Sequence, residues 1–331
     1  MLVRFGIIGT NWITERFVQA ASENDQFVLA AVYSRTEEKG KQFAGNFNNP
    51  RVFTDLTEMV AGDEVDAVYI ASPNSFHAEQ AVLCMNHGKH VLCEKPLASN
   101  TAEVKRMVEA AVKNDVVLME ALKSTQMPNF KVIKDNLYKL DRVRRYTSSY
   151  CQYSSRYDAF KQGTILNAFN PIFSNGSLMD LGIYCLYPMV ALFGKPQSIQ
   201  SVGVMLSSGV DGEGSIIMKY DEMDAVVTHS KICDSYLPTE IQGENGTMVI
   251  DKINQPYSVK IHYRDGTIED LSKPQMHESM YYEAREFIDL IISGERQSSI
   301  NSHATSLMVA EIMEEVRRQI GLEYEADRRS N

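Results

Sequence analysis

The first 120 residues alternate short apolar runs with amphipathic stretches, and this alternation limits the fold more than any other feature of the chain. The runs are Val3–Ile8, Phe27–Tyr33, Ala67–Ala71, His90–Cys93 and Val116–Met119; between them lie Trp12–Ala21, Glu37–Ala44, Ala78–His87 and Thr101–Asn114. Each run is too short for a helix and too continuously apolar for a strand with one wet face. Strand and helix in strict alternation favour parallel pairing through right-handed crossovers, so residues 1–120 predict an α/β domain with a doubly wound parallel sheet.

Beyond residue 120 the pattern changes. Residues 142–153 are rich in Tyr, Thr and Ser, and the apolar segments Ile199–Leu206, Ser215–Tyr220, Ala225–Ser230, Thr247–Ile250 and Ser258–Tyr263 are separated by Gly, Asp and Asn turns. That spacing predicts antiparallel meanders. Helical patterns recur at Leu178–Phe193, Ser279–Ser293 and His303–Gln319, so 121–331 is expected to be a second, α+β domain. A length of 331 residues fits two domains at roughly 150 residues each.

Charge narrows the partners. With 33 Lys and Arg against 43 Asp and Glu, the net charge is −10, which gives nothing to gain from phosphate counterion release. Nucleic acid and anionic membrane surfaces are therefore not expected as partners. No apolar run is expected to span a bilayer, and the start of the chain lacks the pattern of a secretory leader. The cysteines, Cys84, Cys93, Cys151, Cys185 and Cys233, are odd in number and lack Cys-x-x-Cys, which suggests buried thiols in a reducing cytoplasm.

Gly6-Ile7-Ile8-Gly9-Thr10-Asn11-Trp12-Ile13-Thr14 runs from the first strand into the first helix. A dinucleotide needs a tight turn there, bare backbone near the pyrophosphate and a helix N-terminus aimed at it. Gly9, Thr10, Asn11, Trp12 and Ile13 are the expected cradle. Asn11 stands where a second glycine is usual, and asparagine tolerates left-handed backbone angles. A glycine turn without a ligand fits the same residues. At the end of the second strand stand Ser34 and Arg35, with Lys39 a turn further on, where an acid would bind the ribose of NAD. A hydroxyl and two cations suit a 2′-phosphate, which favours NADP over NAD. Cys84, His87, His90 and Cys93 have metal-like spacing, but a helix end between them prevents convergence, and no metal site is expected.

Two further segments follow strand ends: Ser72-Pro73-Asn74-Ser75-Phe76-His77 and Glu94-Lys95-Pro96. In an open parallel sheet ligands bind beyond the carboxyl ends of the strands, so Ser72, Pro73, Asn74, His77, Glu94 and Lys95 are candidate cofactor contacts. Asp180 and Tyr184 lie at i, i+4, which places both on one helix face. With the glycine turn and Gly176-Ser177-Leu178-Met179-Asp180-Leu181-Gly182-Ile183-Tyr184, these motifs resemble the Gfo/Idh/MocA oxidoreductases, in order and over essentially the whole chain.

That resemblance implies an N-terminal Rossmann domain, a C-terminal domain on a large open, mainly antiparallel sheet, and homodimers or larger oligomers through that sheet. It also implies NAD(P)-dependent hydride transfer at a carbinol or carbonyl carbon of a small sugar-, polyol- or diol-like substrate. Lys95, Asp180 and Tyr184 would be catalytic; tyrosine at 184, where inositol dehydrogenases carry histidine, is similar to the dimeric dihydrodiol dehydrogenase branch. The polar and aromatic stretch 154–175 reads as a long loop walling the substrate pocket, with Lys123, Arg156, Tyr157 and Asn167 as candidate substrate contacts. A ligand sensor that binds the nucleotide without chemistry is the alternative reading.

Overall fold

The computed structural model describes residues 1–329; Ser330 and Asn331, the last two of the expected second domain, lie outside the described residues. The chain forms two compact units, Met1–Ala121 with Glu278–His303, and Leu122–His277 with the segment from Ala304 onward.

The first unit begins with β1 (Val3–Ile8), α1 (Trp12–Ala21), β2 (Phe27–Tyr33), α2 (Glu37–Ala44), β3 (Arg51–Phe53) and α3 (Leu56–Ala61). It continues with β4 (Ala67–Ile70), α4 (His77–Asn86), β5 (His90–Glu94), α5 (Thr101–Lys113) and β6 (Leu118–Ala121). The sheet order is β3-β2-β1-β4-β5-β6 and every pair is parallel, the doubly wound arrangement expected. Strand order reverses between β1 and β4, and the loops after these two strands diverge there. β3 and α3 carried no sequence signal: a three-residue edge strand is too short to show a period.

The second unit holds α6 (Pro128–Asp135), β7 (Val143–Cys151), α7 (Tyr157–Lys161) and α8 (Ile183–Phe193). These are followed by β8 (Ser198–Met205), β9 (Asp211–Lys219), β10 (Asp224–Ser230), β11 (Thr239–Gly243), β12 (Gly246–Ile250), β13 (Val259–Tyr263) and β14 (Ile268–Asp270). Its sheet runs β14-β13-β12-β11-β7-β10-β9-β8. All neighbours are antiparallel except β7 and β10. The exception follows from connectivity: α8 carries the chain back across the sheet, so the meander β8-β9-β10 returns with its last strand parallel to β7. The Tyr146 hydroxyl on β7 donates to the Cys185 carbonyl of α8 at 3.0 Å and fixes the helix on the sheet.

Three expectations need correction. The stretch Pro171–Phe193 is long and apolar enough to span a bilayer by composition, with mean hydropathy 1.4, although no such run was expected. Its most apolar part is 72% buried inside the protein, which marks the stretch as core: a 3-10 turn, a π-helical turn and α8. The residues 154–175 are not a long loop: α7 and two 3-10 turns, Asn167–Phe169 and Pro171–Phe173, organise them around a cluster of Ala168, Phe169 and Val210. Finally, α9 (Met280–Ser293) belongs with the first unit, not with 121–331 as a block; α10 (His303–Ile320) and α11 (Glu325–Arg329) follow it.

The apolar face of α9 explains its placement. Met280, Ala284, Phe287, Ile288 and Ile291 join the core formed by Val3, Phe5, Ile7 and Phe17, and the Phe287 ring lies 5.8 Å from that of Phe5. Burying that stripe completes one face of the parallel sheet. Phe287→Ala is expected to cost about 3–5 kcal/mol, read as a lowered denaturant midpoint, because it removes a fully buried ring from a closed core.

Candidate functional site

The loops after β1, β4 and β5 are tied together within the first unit. Gly9 has φ +106°, and a Cβ on it would stand 2.7 Å from the Ala71 carbonyl oxygen after β4. Only glycine allows both the backbone angle and the approach. Asn11 is not left-handed as expected; it is extended at φ −104° and serves as the N-cap of α1. Its Oδ1 accepts from the Ile13 and Thr14 amides at 2.9 and 3.3 Å, while its Nδ2 donates to the Ala71 carbonyl at 2.8 Å. The asparagine therefore replaces glycine for a positive reason: it caps the helix and clamps the neighbouring loop. Thr10 and Ile13 are half-buried and Trp12 is exposed beside this turn.

His77 is the second tie, and it corrects an expectation. It was a candidate cofactor contact, yet the ring is fully buried, with Nε2 2.9 Å from the Ser72 carbonyl and Nδ1 3.0 Å from the Pro96 carbonyl. Both ring nitrogens are spent on the protein. Burial lowers the basicity of the imidazole, against the pull of the two carbonyls, and a neutral ring donates to one of them at a time. The residue joins the Ser72–Asn74 segment to the loop bearing Lys95. The Ser72 hydroxyl donates to Gln80 at 2.7 Å, and Pro73 and Asn74 are half-buried next to it.

Glu94 and Lys95 are half-buried at the end of β5. Two groups not singled out in the sequence support them. The buried Tyr69 hydroxyl donates to Glu94 Oε1 at 2.5 Å, with its ring stacked 3.7 Å from Phe17, and burial drives its pKa well above the usual phenol value. Glu120, buried in β6, accepts from the Leu97 amide at 2.9 Å. A carboxylate inside an apolar strand was the available signal for Glu120; Tyr69 offered none, since tyrosine is ordinary in a strand. Ser34 is buried after β2, whereas Arg35 and Lys39 are exposed there. The glycine turn, the start of α1 and these two cations fit a dinucleotide with a 2′-phosphate.

The spaced cysteines and histidines are used separately. The His87 ring bonds the Leu83 carbonyl, His90 accepts from the Val117 amide, and Cys84 and Cys93 are buried in the core. Among the described residues no three His, Cys, Asp or Glu groups converge. All five thiols are free, but Cys233 is exposed and Cys151 half-buried, so not every thiol is in the core as expected.

In the second unit Asp180 sits in a π-helical turn, Leu178–Gly182, that leads into α8, so the expected regular helix starts with a wider turn. Tyr184 follows in α8, its ring 5.6 Å from Tyr150 in an edge-to-face arrangement. Gly176 precedes the turn at φ +150°, and a Cβ on it would lie 2.0 Å from Asp211 Oδ1. Asp211 Oδ2 in turn accepts from the Leu178 amide at 2.7 Å, and His229 Nδ1 lies 2.9 Å from the Ser177 hydroxyl. Lys231, another residue missed in the sequence, donates to Asp180 Oδ2 at 2.7 Å. Lys123 opens a 3-10 turn after β6; Arg156 and Asn167 are exposed; Tyr157 packs against Tyr153, Phe160 and Phe169.

Residues 3–122 match an oxidoreductase family with an NAD-binding Rossmann fold, and residues 139–249 match the C-terminal domain of the same group. Fold and motifs thus define a two-unit oxidoreductase with a nicotinamide-nucleotide unit. The chain belongs to the Gfo/Idh/MocA family. It is 57% identical over 326 residues to scyllo-inositol 2-dehydrogenase (NADP(+)) IolU of Bacillus subtilis, covering 98% of this chain and 99% of that protein. It is 30% identical over 343 residues to trans-1,2-dihydrobenzene-1,2-diol dehydrogenase of Xenopus laevis, covering 98% and 100%. A levoglucosan dehydrogenase crystallised with NADH and levoglucosan shares the fold, with TM-score 0.86 at 19% identity over 97% of this chain and 98% of that one.

The buried pair beneath the π turn has a pH signature. Burial pushes Asp211 up to about 6 and His229 down to about 3. The stabilising part of Asp211 is present at acid pH and fades as pH rises through 6; that of His229 is present near neutrality and is lost as pH falls toward 3. The two slopes oppose each other between pH 4 and 6. In Asp211→Asn only the histidine slope is left, so denaturant stability is expected to rise with pH from about 3 to 6.5 more steeply than in the wild type.

Proposed function

We propose that the protein oxidises a secondary carbinol of a small cyclic polyol with NADP+, and reduces the matching ketone in the reverse direction. The oxidoreductase class follows from the family; the polyol is supported by the 57% identity to an inositol dehydrogenase over nearly the full chain. Bound NADP+ supplies the hydride acceptor. On the protein side, Lys95 polarises the reacting oxygen, Tyr184 shares its proton, and Asp180 orients the pair. As the carbon gives up hydride, the hydroxyl proton passes to the Tyr184 phenolate; in the reverse direction charge builds on oxygen as hydride arrives and the Tyr184 phenol returns the proton, while the Lys95 cation stabilises the oxygen anion in both directions. Lys123, Arg156, Tyr157 and Asn167 are the proposed substrate contacts.

One observation carries this reading over that of a nucleotide-binding sensor. Lys95 is held in a loop fixed from both sides, by His77 at Pro96 and by Glu120 at Leu97. Such rigidity serves a group that must meet a reacting atom and is wasted on a sensor. Lys95→Ala is expected to lower kcat for scyllo-inositol oxidation by about a thousandfold or more while NADP+ still binds in fluorescence titration. Binding without turnover in the wild type, over a panel of inositols and sugars, would favour the sensor.

Arg35 and Lys39 support NADP+ over NAD+, as does the cofactor in the Bacillus relative's name. Arg35→Ala is expected to weaken NADPH by at least about tenfold and to leave NADH within about twofold. We also propose a cytoplasmic homodimer. The free thiols support a reducing compartment. On the strands β8 and β9, Val202 and Ile217 are 71% and 54% exposed, which supports a covered sheet face in the assembled enzyme.

A further inference from the structure

We propose that Lys231 is the positioning residue for Asp180: its ammonium holds the carboxylate in place and ties it to the 3-10 turn Asn167–Phe169. This rests on the role for Asp180 proposed above. Lys231 directly follows β10 and its backbone is pinned on both sides, its amide donating to the Gly212 carbonyl at 2.8 Å and its carbonyl accepting from the Ser154 amide at 2.9 Å. A lysine at a strand end normally reaches into water, but this side chain is only 3% exposed. The ammonium lies 2.7 Å from Asp180 Oδ2, 3.4 Å from the Ala168 carbonyl oxygen and 5.4 Å from the centre of the Phe169 ring. One anion, one carbonyl and one aromatic face thus surround a group with three N–H donors.

The pairing is lopsided, and that is the point. Lys231 is sealed in, whereas the Asp180 side chain is 35% exposed. A buried ion pair is a poor device for stability, since desolvation cancels much of the attraction. It is a good device for fixing a side chain, because a buried counter-charge holds the carboxylate in one rotamer. A carboxylate held in one rotamer can orient the donors of the proposed catalytic pair. The contact with Ala168 also passes any shift of the Asn167–Phe169 turn on to the carboxylate.

The test compares Lys231→Met, Lys231→Gln, Asp180→Asn and the double variant Asp180→Asn with Lys231→Met, with scyllo-inositol and NADP+ as substrates. Lys231→Met is expected to lower kcat by at least about tenfold without changing NADP+ binding, and the double variant is expected to stay within about threefold of Asp180→Asn alone. Lys231→Gln, which keeps a donor, is expected to recover part of the loss. The double variant carries no unpaired buried charge, so it reports even where Lys231→Met folds poorly. Losses that multiply in the double variant overturn the inference, as does a folded Lys231→Met protein with wild-type kcat beside an impaired Asp180→Asn. An Asp180→Asn protein with wild-type kcat removes the proposed role of Asp180 itself, and this inference with it.

Discussion

The loops of the nucleotide unit depend on a close approach of two backbones. Strands β1 and β4 are neighbours in the sheet, but the chain leaves them in opposite directions, and the loops that follow would part at once without something to hold them. Gly9 and the Ala71 carbonyl meet there at a distance no side chain would allow, and Asn11 locks the contact with its amide while capping α1. A turn built on bare glycine backbone has little rigidity of its own, so rigidity is borrowed from the adjacent strand. His77 repeats the arrangement one strand further on, between the loops after β4 and β5. Three loops at the carboxyl end of the sheet are thereby fixed without occupying the space beyond them.

The second unit solves a related problem with charge. Its carboxylate, Asp180, projects from a π-helical turn whose start is held by Asp211 below and by the glycine that makes room for it. Wide turns of this kind are costly in an otherwise regular helix and persist where a side chain must be aimed. Ser177, His229 and Asp211 resemble a nucleophilic triad by composition only. They are sealed from solvent, with the imidazole held neutral by burial, and their work is to brace the helix start.

Much of the nucleotide unit was legible in the sequence because buried parallel strands are continuous apolar runs and their crossover helices are amphipathic. The edge strand β3 escaped notice, being three residues long, and so did the parallel pairing of β7 with β10, which depends on where a helix crosses the sheet. Among candidate site residues, the glycine turn and Glu94-Lys95-Pro96 stand out by their position after strand ends. Lys231 and Tyr69 do not, because a lysine after a strand and a tyrosine within one are ordinary until their surroundings are known.

The sequence by itself determined the alternation of elements up to residue 120 and the family of the chain, both of which reside in local pattern and spacing. Tertiary structure alone decided that α9 returns to the first unit, that His77 is a strut and not a ligand contact, and that Lys231 is the counter-ion of Asp180. The reason is physical: periodicity records which face of an element is buried, but not which other element buries it, and an ion pair 51 residues apart in the chain leaves no mark on either neighbourhood.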